Sequence, residues 1–149
     1  MTAPSHTDAA SAVEVAVAYL TALGGDDPAA VAALVSDDFR NEHHAALGSG
    51  CVGRDEYSRR LPGFFATFAN RHYELVETSV GSKPGDTSAT REIIVNYRFR
   101  ADVDTGGDIT RIDIPGVMWI SVRDGAVVRR LDCWDSLVFH RQTGTSPDA

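Results

Sequence analysis

Apolar residues recur at helical spacing in this chain only as far as Phe68, and beyond it they alternate at strand spacing almost to the end. Helices first and long strands afterwards give an α+β architecture, not the alternating strand-helix-strand units of a nucleotide-binding sheet. From Ser11 to Leu23 the stripe is Val13, Ala16, Val17, Leu20 and Leu23, closed by Gly24-Gly25. Asp27-Pro28 reads as an N-cap followed by proline at the first helical position. It opens a second short helix with Val31, Leu34 and Val35 inward and Ser36-Asp37-Asp38 as its stop. A brief strand is expected over 39–45, then the Gly48-Ser49-Gly50 loop. After Gly53, Tyr57, Leu61, Phe64, Phe65 and Phe68 form the clearest helical face, with Pro62 expected to bend or split that helix.

Four strand segments follow: 72–80, 87–103, 109–122 and 126–139. In the second, Ile93, Val95, Tyr97, Phe99 and Val103 share one face. Pro115-Gly116 interrupts the third, where a bulge is expected to turn Val117 and Trp119 outward. The stretches 1–10 and 143–149 read as tails of a single domain spanning 1–149. There is no GxGxxG, no phosphate-binding loop, no internal repeat and no linker in the sequence.

Charge narrows the partners. The net charge is -7, which repels phosphate backbones and anionic headgroups, so neither nucleic acid nor a membrane surface is expected. The start, MTAPSHTDAA, has no basic apolar leader, and no run reaches the ~18 apolar residues of a membrane span. A cytoplasmic protein is expected. Cys51 and Cys133 are far apart with no clustered Cys/His spacing, so they read as reduced thiols without a metal.

Two polar constellations carry possible chemistry. Adjacent His43 and His44 lie on a strand, so one points inward and the other out, and histidine shuttles protons near neutral pH. In Leu131-Asp132-Cys133-Trp134-Asp135, alternation puts Arg130, Asp132 and Trp134 on one face and Leu131, Cys133, Asp135 and Leu137 on the other. By apolar company alone Asp135 is the inward acid. Either acid can instead serve simply to pair with Arg129 or Arg130.

The element order, with Ser36-Asp37-Asp38-Phe39 before a histidine-bearing strand, Gly53-Arg54 opening the third helix, Val122-Arg123-Asp124-Gly125 before the last strand and Trp134-Asp135 within it, resembles the cone-shaped fold of the nuclear transport factor 2-like superfamily. Its enzymatic branches are the SnoaL-like polyketide cyclases, the ketosteroid isomerases and the limonene-epoxide hydrolases. The resemblance covers roughly residues 11–142. It implies a curved, mostly antiparallel sheet around an apolar pocket, homodimers formed through the sheet, a small apolar ligand and no cofactor or metal.

Residue by residue, the resemblance puts Arg130, Asp132 and Trp134 toward the pocket and favours His43 over His44. His43 and Asp132 are therefore the expected catalytic pair, with Asp135, His44 and Tyr19 as further candidates. Tyr19 resembles the oxyanion-holding tyrosine of the isomerases. However, His43 stands where their base would be, and Pro115-Gly116-Val117 replaces their second oxyanion acid. The epoxide hydrolases use an Arg-x-Asp pair where this chain has Tyr97 and Phe99, which leaves Asp132 without those partners. Tyr97, Phe99, Trp134, Phe64 and Phe68 are the expected substrate-binding residues. The expected function is acid/base chemistry on a small apolar carbonyl compound: cyclisation, isomerisation, dehydration or hydration. The alternatives are a non-catalytic ligand-binding or dimerisation module and an epoxide hydrolase.

Overall fold

A computed structural model describes residues 9–146. Helices α1 (Ala9–Leu23) and α2 (Pro28–Ala32) lead into strand β1 (Val35–His44) and the short β2 (Cys51–Val52). Helix α3 (Arg54–Thr67) precedes the long strands β3 (Ala69–Gly81), β4 (Arg91–Asp104), β5 (Ile109–Arg123) and β6 (Ala126–Trp134), and α4 (Ser136–Thr143) follows. The strands form one six-stranded sheet in the order β2-β1-β6-β5-β4-β3, antiparallel throughout except where β1 runs parallel to β6. This is the expected α+β architecture. The expected tails 1–10 and 143–149 fall largely outside the described residues, although Ala9 and Ala10 belong to α1.

The core lies on the concave face. From β4, Ile93, Val95, Tyr97, Phe99, Ala101 and Val103 all point inward, opposite Ile112, Ile114, Met118, Ile120 and Val122 of β5. Helix α1 covers them with Ala12, Ala16, Tyr19, Leu20 and Leu23. That stripe is rotated from the expected one: Val17 is 37% exposed, and the small Ala12 and the ring of Tyr19 take the inward positions. Asp27 caps α2 as anticipated, accepting from Ala29 N at 3.0 Å. The helix stops at Ala32, short of Val35, because the Leu34 carbonyl accepts from Val127 N and the chain joins the sheet.

Three further expectations change. Pro62 does not split α3, which runs as one helix from Arg54 to Thr67 with the proline on its exposed side. No register shift marks Pro115, which faces Arg98 in an unbroken β4–β5 ladder. The β5–β6 pairing ends at Gly116–Trp134, so the proline lies past the end of β6 and interrupts no bond to it. There α4 takes over the strand's free edge. Asp113 N donates to Gln142 Oε1 and Gln142 Nε2 donates to Asp113 O, both at 2.7 Å. Residues 136–139, expected to continue the last strand, open this helix, with Asp135 as N-cap and Gly144 as its left-handed C-cap. Trp119 and Val117 do face outward, by plain alternation, and Trp119 Nε1 donates to the buried Glu92.

Arg71 at the start of β3 clasps two helix ends. Its Nε donates to Leu23 O and its Nη2 to Gly25 O after α1, while Nη1 donates to Phe65 O and Phe68 O at the end of α3. The guanidinium also lies 3.6 Å above the Phe65 ring. A cation at two helix C-termini satisfies carbonyls with no helical partner and suits both dipoles. The Arg71→Met variant keeps the apolar stem and strands those carbonyls, so it is expected to lose about 2–4 kcal/mol of unfolding free energy in urea titrations. A loss below about 0.5 kcal/mol would show the clasp to be dispensable.

Candidate active site

The site rests on one irregularity in β6. Val127 and Arg129 pair with the consecutive residues Val122 and Ser121 of β5, so Val128 is an extra residue. Such a one-residue bulge flips every later side chain to the opposite face. Val127 before it and Arg130, Asp132 and Trp134 after it therefore all face the concave side. In the parallel ladder with β1, Arg130 stands beside Asn41, and Asp132 beside His43.

Asp132, 4% exposed, is held at both oxygens. Tyr97 OH donates to Oδ1 at 2.5 Å and Arg130 Nη2 donates to Oδ2 at 2.9 Å. Gly116 lets the tyrosine reach it: a Cβ there would lie 2.3 Å from the Tyr97 hydroxyl oxygen. Arg130 and Asp132 form a buried ion pair whose opposite charges offset much of the cost of leaving water. Tyrosines surround it. The hydroxyls of Tyr19 and Tyr57 are 2.5 Å apart, and burial raises the pKa of both, as it does for Tyr73 and Tyr97. The Asp132 charge pushes Tyr97 further in the same direction, so it serves as a proton-bearing donor.

His43 completes the polar group. Its Nδ1 lies 3.9 Å from Asp132 Oδ2, beyond hydrogen-bond range, and has no protein partner. Burial, reinforced by the Arg130 charge and only partly countered by Asp132, lowers its pKa from 6.5 to about 4. It is a neutral imidazole at physiological pH. The loop after β1 closes over it, with a Cβ on Gly48 coming within 3.1 Å of the ring. Arg60 of α3 fastens that loop by donating to Ser49 O, Ser49 Oγ and Gly50 O.

These groups border a cavity of about 350 Å³. Its apolar walls are Phe64 from α3, Phe68 at the C-cap of that helix, Phe99 and Ile114 from the sheet, and Trp134 and Phe139. Of the residues expected from sequence, His43, Asp132, Tyr97, Phe99, Trp134, Phe64 and Phe68 line it. The others do not. His44 is exposed on the outer face and Asp135 is spent as the cap of α4, accepting from Leu137 N. Tyr19 is buried behind Tyr57, which takes the wall position instead. Asp132 is also not short of partners, since Tyr97 itself and Arg130 supply them. Asn41, Tyr57, Tyr73 and Arg60 were not anticipated, although Asn41 is two residues before His43 on the same face. Among the described residues, no three His, Cys, Asp or Glu side chains are grouped to hold a metal ion, and no helix is long and apolar enough to cross a membrane.

A family model described as the SnoaL-like domain matches residues 16–130. No curated protein sequence matches the chain. Among solved structures, a protein of ketosteroid isomerase-like fold from Catenulispora acidiphila, in complex with trimethylamine, superposes with a TM-score of 0.74 at 20% identity over 91% of this chain and 96% of that one. A candidate polyketide cyclase from Xanthomonas campestris gives 0.69 at 19% identity, covering 90% and 97%. An LEH-like epoxide hydrolase from M. tuberculosis gives 0.69 at 16%, covering 90% of each chain. At these identities the likeness is one of fold.

The depressed histidine makes stability depend on pH. Between 6.5 and about 4 the unfolded chain binds the proton that native His43 refuses, so stability is complete above that window and falls on acidification through it. Between about pH 7 and about pH 4.5 the wild type should lose roughly 2–3 kcal/mol more than His43→Gln. Urea unfolding of both proteins at the two pH values measures this, and parallel losses would show that His43 titrates normally.

Proposed function

This chain belongs to the SnoaL-like domain family, and we propose that it is an enzyme that moves protons on a small, largely apolar carbonyl compound. The observation that carries this reading is the convergence of His43 and Asp132 on one apolar cavity, with a 3.9 Å gap between them. A substrate atom seated beside the pair, at the apex of a triangle with Nδ1 and Oδ2, is within hydrogen-bond reach of both groups. Asp132 takes a proton from the carbon beside the carbonyl, and the bonding electrons move onto the carbonyl oxygen as an enolate. Neutral His43 hydrogen-bonds the rearranging substrate, and the proton held by Asp132 returns at a different atom. Nothing is oxidised or reduced. Isomerisation, ring closure and loss of water share this step and differ in where the substrate places its atoms.

The surroundings suit that task. Arg130 and Tyr97 fix the carboxylate in one orientation, and the aromatic walls keep water away, so the charge forming in the reaction meets prearranged partners. Epoxide hydrolysis fits less well, because it needs an acid for the leaving oxygen as well as a base for water. Asp132 is the one carboxyl group among the described residues of the cavity wall.

Proton transfer is read by following deuterium uptake beside the carbonyl of one- and two-ring ketones in heavy water by NMR. The wild type should speed exchange, and Asp132→Asn or His43→Gln should lower the rate by roughly 10²–10⁴-fold. Exchange at the solvent rate in the wild type, with binding retained, would favour a non-catalytic ligand-binding module of the same fold.

A further inference from the structure

Deeper along the same two strands, next to the His43–Asp132 pair, Asn41 and Arg130 stand side by side in the β1–β6 ladder. Both are more than nine-tenths buried, at 7% and 6% exposure, and both line the cavity. Each has a polar atom with no protein partner: Asn41 Oδ1, an acceptor, and Arg130 Nε, a donor. On its other side Asn41 stands opposite Cys51 in the β1–β2 ladder. Buried polar groups are rarely left unpaired, since each one costs the water it gave up. Here a buried acceptor and a buried donor are left without partners on neighbouring residues of the cavity's polar end.

Charge narrows the ligand further. Both cations of the wall already have a carboxylate partner, Arg130 in Asp132 and Arg60 in Glu56, and the histidine is neutral, so no unpaired positive charge is left to hold an anion. The volume of about 350 Å³ is near the lower end of the roughly 300–1,000 Å³ usual for ligand sites, which suits one or two rings.

We infer that the cavity takes a neutral hydroxy-carbonyl compound of one or two rings, with its hydroxyl donating to Asn41 Oδ1 and its carbonyl oxygen accepting from Arg130 Nε, and that Asn41 is the residue that selects for the hydroxyl. The inference rests on this cavity being the substrate site. It places the carbonyl beside the pair that exchanges protons, and the apolar rings against Phe64, Phe68 and Phe99.

Four probes test it by calorimetric titration of the full chain: an α-hydroxytetralone, the parent α-tetralone without the hydroxyl, the corresponding tetralol without the carbonyl, and a tetralin carboxylate. The hydroxy ketone should bind roughly tenfold tighter than either single-group probe, the value of about one hydrogen bond. The carboxylate should bind weakest. Asn41→Leu should erase the advantage of the hydroxyl while keeping the affinity for the parent ketone. Equal affinities in the wild type, tighter binding of the carboxylate, or no binding of any probe would overturn the inference, and these wild-type readings stand even where Asn41→Leu fails to fold. The readout is binding alone, so a hydroxyl preference without deuterium exchange would retain this ligand class and remove the catalytic reading. Exchange that ignores the hydroxyl would do the reverse.

Discussion

The extra residue at Val128 decides what this sheet can do. With unbroken alternation from Val127, Arg129 and Leu131 would face the concave side and the Arg130–Asp132 pair would lie on the outer surface. The bulge brings a guanidinium and a carboxylate inward together, where neither is tolerable without the other. Tyr97 is drawn to Asp132 across the space left by Gly116, and Tyr57 and Tyr73 pack around Arg130. The neutral state of His43 follows from its burial and from the neighbouring positive charge.

The rest of the fold keeps this polar group in an apolar setting without filling the space before it. A curved sheet touches α1 at one end, while α3 crosses the other and offers Phe64 and Phe68 only half-buried. Arg71 ties the ends of both helices to β3 through four carbonyls, and the rings of Phe64 and Phe68 rest against Phe99 of the sheet at centroid distances of 6.1 and 5.6 Å. The loop fastened by Arg60 and the ring of Phe139 complete the cavity wall. The cavity is thus a consequence of helices anchored at their ends above a bent sheet.

Much of this was legible in the sequence. Alternation in β4 assigned Tyr97 and Phe99 to the inner face, the periodic aromatics assigned α3, and Asp27-Pro28 marked α2. The bulge was not legible, because Val127-Val128 satisfies either face. Counting through residues 131–137 consequently favoured Asp135 by its apolar neighbours, whereas the resemblance to known enzymes pointed to Asp132. Helix α4 was hidden in the same place: Leu137, Val138 and Phe139 read as strand, and its signals are the capping aspartate at 135 and the terminal glycine at 144. The neutral state of His43 and the open atoms of Asn41 and Arg130 depend on three-dimensional burial, for which a linear pattern has no counterpart.

The most direct test of the central claim is an NMR titration of the His43 ring nitrogens in the wild type. A neutral imidazole through physiological pH, protonating only near 4, is the result expected if the bulge places His43 against a buried, charge-balanced Arg130–Asp132 pair. A midpoint at the ordinary 6.5 or above would contradict it, and would mean that water or an unbalanced Asp132 reaches the ring.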